Sequence, residues 1–122
     1  LQVMLPFAEP EFVERSILPA SNGEQWRQRY FALTAAAALE PRIMPNDLGP
    51  LPQGGRRASM NAFERCNLWL LYSALAWGVD KVRFISLWNG GGGDGPGGTG
   101  HMYGEVKRRT GRVAWLDTRK LW

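Results

Sequence analysis

The sequence predicts an α/β fold carried on a mainly parallel sheet, and three observations lead to it. Short apolar runs of strand length alternate with longer stretches of helical periodicity. Ten of the fifteen glycines lie between Gly90 and Gly111, directly after one apolar run and before a helical one. The chain has 122 residues and is 44% hydrophobic, enough to enclose the core of one domain. Strands separated by helices pair in parallel, because a parallel neighbour is reached only through a crossover connection.

The elements follow in order. Val3 to Phe7 reads as a short buried strand, stopped by Pro6 and Pro10. Glu11 to Ile17 is short and helical. Ser21-Asn22-Gly23 makes a turn and supplies a cap for a helix over Glu24 to Leu39, where Trp26, Tyr30, Leu33 and Ala37 fall at helical spacing and Ala35 to Ala38 favour helix. Pro41 to Asn46 holds a short strand around Ile43. Asp47 to Arg57 contains Pro50, Pro52, Gly54 and Gly55 and reads as a loop longer than most connections, a kind often used for function. Ser59 then caps a helix over Met60 to Trp77, ended by Gly78. Its stripe of Met60, Phe63, Leu70, Ala74 and Trp77, widened by Leu68, Leu71 and Leu75, predicts a mostly buried helix. Val82 to Trp88 is a strand, Asn89 to Gly100 a glycine-rich loop, and His101 to Arg109 a helix. Gly111 turns the chain into a last strand, Arg112 to Leu116. Most of the six tryptophans are expected in the core.

Composition narrows the function classes. Lys+Arg is 15 and Asp+Glu is 11, a net charge of +4 with a pI near 9.7. This mild excess lacks the basic stripe of a nucleic-acid binder and suits an anionic small molecule. Cys66 is the single cysteine, so no internal disulfide forms and a cytoplasmic location is expected. Apolar runs fall short of a membrane span. With one histidine and one cysteine, a zinc site is not expected and no cofactor is called for. The chain opens inside an apparent strand and stops just after another, as a piece of a longer polypeptide with N-terminal elements left outside it would. Attached effector domains and homo-oligomer formation are compatible with that reading.

The chemistry is concentrated in Arg83 to Trp115: strand, glycine loop, helix, strand. In α/β sheets ligands bind beyond the carboxyl ends of the strands. A helix that starts there presents unpaired N–H groups and the positive end of its dipole. Gly97, Gly98 and Gly100 form the expected cradle for an anion, and Thr99 adds a hydroxyl. No Gly-Lys-Ser/Thr follows, so this is not a Walker A loop, and Gly95, Gly97 and Gly100 fit the dinucleotide pattern G-x-G-x-x-G only loosely. A loop shaped solely by its turns is the plain alternative.

Pro96-Gly97-Gly98-Thr99-Gly100, after an apolar strand and before a helix, resembles the P-G-G-x-G-T motif of the SLOG superfamily, which includes the DNA-processing protein DprA (Smf) and the LOG phosphoribohydrolases. Phe63-Glu64-Arg65-Cys66-Asn67-Leu68 is similar to the F-P-x-R-N-R stretch of the DprA branch, and Val3 to Phe7 resembles that family's opening strand. The resemblance implies a Rossmann-like three-layer sandwich over residues 1–122. It also implies a nucleotide or nucleotide-derived, phosphate-bearing ligand, and a role as a sensor module in bacterial signalling or defence. Two departures narrow it. The LOG enzymes carry Thr and Glu where this chain has His101 and Gly104, with Glu105 one residue out of register. Leu68 replaces the second arginine of the DprA pattern, which weakens any expectation of single-stranded DNA binding.

Individual residues keep two readings each. Asn67 either ties down a neighbouring loop or contacts ligand ribose or phosphate. Arg65 either is solvated or turns its guanidinium to phosphate. His101 opens a helix, where it donates to an anion or lies on the surface. Asp94 accepts from a sugar hydroxyl or shapes a turn. Glu105 is the candidate general base if the protein is a nucleoside-phosphate hydrolase. Lys107, Arg108 and Arg109 suit the negative end of their helix dipole. Trp88 either stacks on a base or packs in the core. A module that binds another protein through the exposed glycine loop is the third functional class.

Overall fold

A computed structural model describes residues 1–55, 59–91 and 95–121. The chain is mixed α/β and divides into two compact units, Leu1–Pro52 and Gln53–Trp122. Each contains one pair of parallel strands. No helix among the described residues is long and apolar enough to cross a membrane.

In the first unit β1 (Met4–Leu5) pairs with β2 (Arg42–Ile43), and the Val3 carbonyl accepts from Arg42 N–H at 2.8 Å. Between them lie α1 (Glu9–Phe12), a π-helical turn over Val13–Ile17 and α2 (Gly23–Ala36). The expected strand is thus shorter, and the helix expected from Glu11 starts at Glu9, because Pro10 fits a first helical turn where its missing N–H costs nothing. At the turn between the helices Asn22 takes a left-handed conformation, φ 60°. Gly23 is required there: a Cβ on it would sit 2.2 Å from the Leu18 carbonyl oxygen. Asp47 and Leu48, expected in a loop, belong to α3 (Met44–Leu48), whose first turn accommodates Pro45 and whose Asp47 accepts from Arg42 Nε at 2.9 Å. Leu5, Phe7, Val13 and Met44 are the buried apolar side chains of this unit.

In the second unit α4 (Ala62–Leu75) leads through a 3-10 turn (Val79–Lys81) to β3 (Phe84–Trp88), then α5 (Thr99–Thr110), β4 (Val113–Asp117) and a final 3-10 turn (Thr118–Lys120). Strands β3 and β4 run parallel in register from Phe84 opposite Val113 to Trp88 opposite Asp117. Leu71, Val82, Met102 and Val106 form the core, with Ala74, Leu75, Phe84 and Val113 packed on it. The opposite face of the strand pair, Ile85, Leu87 and Leu116, is exposed.

Two expectations for α4 are corrected. Asn61, not Ser59, is its cap: the Asn61 backbone is extended and its Oδ1 accepts from Glu64 N–H at 2.8 Å. The buried face is Ala62, Cys66 and Leu71, whereas Phe63, Leu70 and Trp77 are exposed, Trp77 by 83%. The helix ends at Leu75, so Trp77 leaves the stripe that placed it in the core. Trp26 and Trp115 are likewise exposed rather than core.

Candidate functional site

The glycine loop leaves the carboxyl end of β3 and enters α5 at Gly98, whose backbone is extended at φ −77°, ψ 169°. The helix begins at Thr99, two residues earlier than its periodicity suggests. Gly100 explains the difference. It sits in the first turn, with its Cβ position 3.0 Å from the Trp88 ring, so a larger residue there would have to push the ring back for the helix to start this close to the strand end. Trp88 in turn lies 5.8 Å from the Trp115 ring and 6.1 Å from Tyr103, centroid to centroid. Trp115 Nε1 donates to the Trp88 carbonyl at 2.8 Å. Gly90, at φ 76°, leaves room for the Trp115 ring, which a Cβ there would meet at 2.8 Å. Trp88 therefore packs beneath the loop, in a contact that fixes where α5 starts.

The N-terminus of α4 holds the same loop from the other side. Asn61 Nδ2 donates to the Pro96 carbonyl at 2.7 Å, while its Oδ1 caps α4. Asn67 Nδ2 donates to the Gly97 carbonyl at 2.8 Å. Gly97, at φ 94°, lies against the first turn of α4, and a Cβ on it would stand 2.7 Å from Glu64 N. Two helix N-termini thus meet at Pro96-Gly97-Gly98. Both loop carbonyls are turned into α4 and bound there, so the negative ends of these peptides are neutralised and the amides of α5's first turn remain as the polar feature of the loop. No side chain among the described residues caps α5. The Gly98 N–H closes a tight turn on the Gly95 carbonyl at 3.0 Å.

The predicted residues separate accordingly. Gly95, Gly97, Gly98, Thr99, Gly100 and His101 are consecutive parts of one loop and helix start, with Asn67 attached to it. Asn67 is the loop tie, its amide nitrogen engaged by the backbone. His101 is half-buried, and its Nδ1 accepts from Gly97 N–H at 3.4 Å, so the ring lies over the loop and not out in solvent. Thr99 is exposed at the first helical position. Arg65 is half-buried on α4. Asp94 falls outside the described residues, as do Arg56, Arg57 and Trp122.

Glu105 is engaged toward the other end of α5. Its carboxylate accepts from Arg108 and, at 3.3 Å, from Arg109, both toward the C-terminal end of α5. The Arg108 hydrogen bond, helped by Arg109, holds its carboxyl below the usual range. A carboxylate kept ionised by two guanidinium groups is a weak proton acceptor. The cationic end of α5 is otherwise spent on aromatic faces, Lys107 over Tyr103 at 5.9 Å and Arg109 over Tyr72 at 5.2 Å. Cys66 is buried, and burial pushes its thiol up to about 11, so it is not a nucleophile at neutral pH.

Sequence reading missed Asn61, although the spacing Asn61-Ala-Phe-Glu64 is that of a helix cap and was there to be found. It also missed the Trp88–Trp115–Tyr103 cluster, which arises from strand register and has no local signal. In class, the molecule is a small mixed α/β protein with a glycine loop at the meeting of two helix N-termini. No family model, curated protein or solved structure matches the chain.

Proposed function

We propose that the chain is a SLOG-like domain of Rossmann type that binds a phosphate-bearing nucleotide or nucleotide-derived signal at Gly97–His101, as the sensor module of a larger signalling or defence protein. One observation carries the reading: no side chain among the described residues caps α5, which starts on a loop whose Pro96 and Gly97 carbonyls are drawn away by Asn61 and Asn67. The N–H groups of Thr99, Gly100 and His101 then face a phosphate, with the dipole of α5 behind them. The Thr99 hydroxyl adds a donor. The phosphate competes with the His101 ring for the Gly97 N–H, so binding displaces an internal contact rather than water alone.

The pinned state of Glu105 supports a sensor over a hydrolase. If Glu105 acted as the base, Glu105→Ala would abolish nucleotide hydrolysis; the sensor reading expects no turnover in the wild type at all. Backbone-amide NMR tests the binding claim. Titration with AMP, ADP or ADP-ribose is expected to shift the amides of Gly98 to His101 ahead of all others. Unchanged amides there, in a folded sample saturated with each compound, would refute it.

A further inference from the structure

The geometry points to a second anion site in the second unit, at the end of the strand pair opposite the glycine loop, for a small phosphate monoester with an apolar body. It rests on side chains and does not depend on the glycine-loop reading. Strand register sets it up. Phe84 of β3 stands opposite Val113 of β4, and Phe84 N–H donates to the Arg112 carbonyl at 3.1 Å. Arg83 and Arg112 therefore enter the two strands side by side. From there both guanidinium groups turn to one oxygen. Arg83 Nη1 donates to the Asp80 carbonyl at 3.3 Å, and Arg112 Nη1 donates to the same carbonyl. Both side chains reach solvent, but this shared acceptor fixes where their charged heads lie.

Two cations drawn to one carbonyl repel each other, and the carbonyl dipole does not neutralise them. Nor does a carboxylate: among the described residues neither arginine forms an ion pair. The acids of this part of the chain are engaged elsewhere. The Asp80 carboxylate pairs with Lys81 at 3.3 Å, and that of Glu105 with Arg108 and Arg109. The cationic end of α5 leads through Gly111 straight to Arg112 and adds to the same positive field. Both arginines line a cavity of about 440 Å³, within the range of small-molecule sites. Its other walls include Phe84, Ile85, Val113 and Ala114. Guanidinium forks bind phosphate oxygens in pairs. A phosphate monoester carries nearly two negative charges at neutral pH, which matches the two arginines, and the strand residues take an apolar body.

Amide NMR and calorimetry on the whole chain test this with phenyl phosphate as the probe. Phenyl sulfate, the same body with one charge, and inorganic phosphate, the same charge without a body, are the controls. Phenyl phosphate is expected to shift the amides of Arg83, Phe84, Arg112 and Val113, and to bind about tenfold tighter than either control. Its affinity is expected to rise between about pH 5 and pH 7, through the second ionisation of the phosphate, while that of phenyl sulfate stays level. Arg83→Gln and Arg112→Gln should each lower the affinity about tenfold while the melting temperature of the free protein holds or rises, because each removes a repelling neighbour. Damage to the fold would lower both. If either variant is destabilised, the amide map and the pH dependence of the wild type decide the matter. Binding of either control as tight as that of phenyl phosphate, or unchanged affinity in both variants, overturns the inference. Amide shifts confined to Gly98–His101 overturn it too, by assigning the phosphate to the glycine loop alone, and so does the absence of any shift.

Discussion

At Gly97 the backbone carries a positive φ and presses on the first turn of α4, so the residue has two independent reasons to be glycine. Gly97→Ala is expected to cost about 2 kcal/mol, read from denaturant unfolding, since both the left-handed strain and the contact with Glu64 N must be relieved. Gly98 differs, because its extended φ is open to any residue. Asn67→Ala removes the donor to the Gly97 carbonyl and should cost about 1 kcal/mol. Asn67→Asp should cost more, since a carboxylate then faces a carbonyl oxygen. Cys66 gives a pH signature. Its folded thiol is raised from 9.0 to about 11, so its contribution to stability is complete below pH 9 and lost as the pH climbs toward 11. Cys66→Ala should flatten that part of the alkaline profile of melting temperature. Burial and the Glu9 carboxylate also raise the Tyr30 phenol, which adds alkaline sensitivity that Cys66→Ala leaves in place.

Among the elements, α2 shows how local chemistry overrides propensity. The four alanines from Ala35 predict helix to Leu39, but the helix ends at Ala36 in a Schellman turn: Ala38 N–H bonds the Ala35 carbonyl and Leu39 N–H the Thr34 carbonyl. The turn needs a left-handed residue, and Ala38 supplies it at φ 47°. Glycine is favoured at that position, so Ala38→Gly should stabilise the protein by about 0.5–1 kcal/mol, visible as a raised melting temperature. Elements with a strong local signal were legible: β3, the turn at Gly111, and the existence of α2, α4 and α5. Their ends were misread: Asn61 and Ala38 set them through local caps, and Gly100 through its contact with Trp88 on the preceding strand. The buried face of α4 was misread for a related reason. A helix with apolar residues on several sides does not reveal which side meets α5 and the turn before β3 until those elements are placed.

For the whole molecule, the sequence pointed correctly to mixed α/β structure with parallel strand pairing, and to a glycine-rich loop leading into a helix, although that helix starts at Thr99 and not at His101. The architecture beyond two strand pairs was not legible, since parallel pairing is non-local. At the site, the glycines announced the loop, while its restraint by Asn61 and Asn67 depends on residues thirty or more positions away. That restraint is what makes the loop a preformed anion cradle in this account. It leads to a substitution that separates structure from binding. Aspartate at Gly98 would cap α5 with its own carboxylate, adding a few tenths of a kcal/mol while filling the place of a ligand phosphate.

The most direct measurement is therefore a thermal-shift series with mono-, di- and cyclic nucleotides, ADP-ribose and sugar phosphates, run on the wild type beside Gly98→Asp. At least one phosphate-bearing compound is expected to raise the melting temperature of the wild type and to leave that of Gly98→Asp, itself slightly more stable, unmoved. Equal shifts in both proteins, or none in a well-folded wild type, would contradict this expectation.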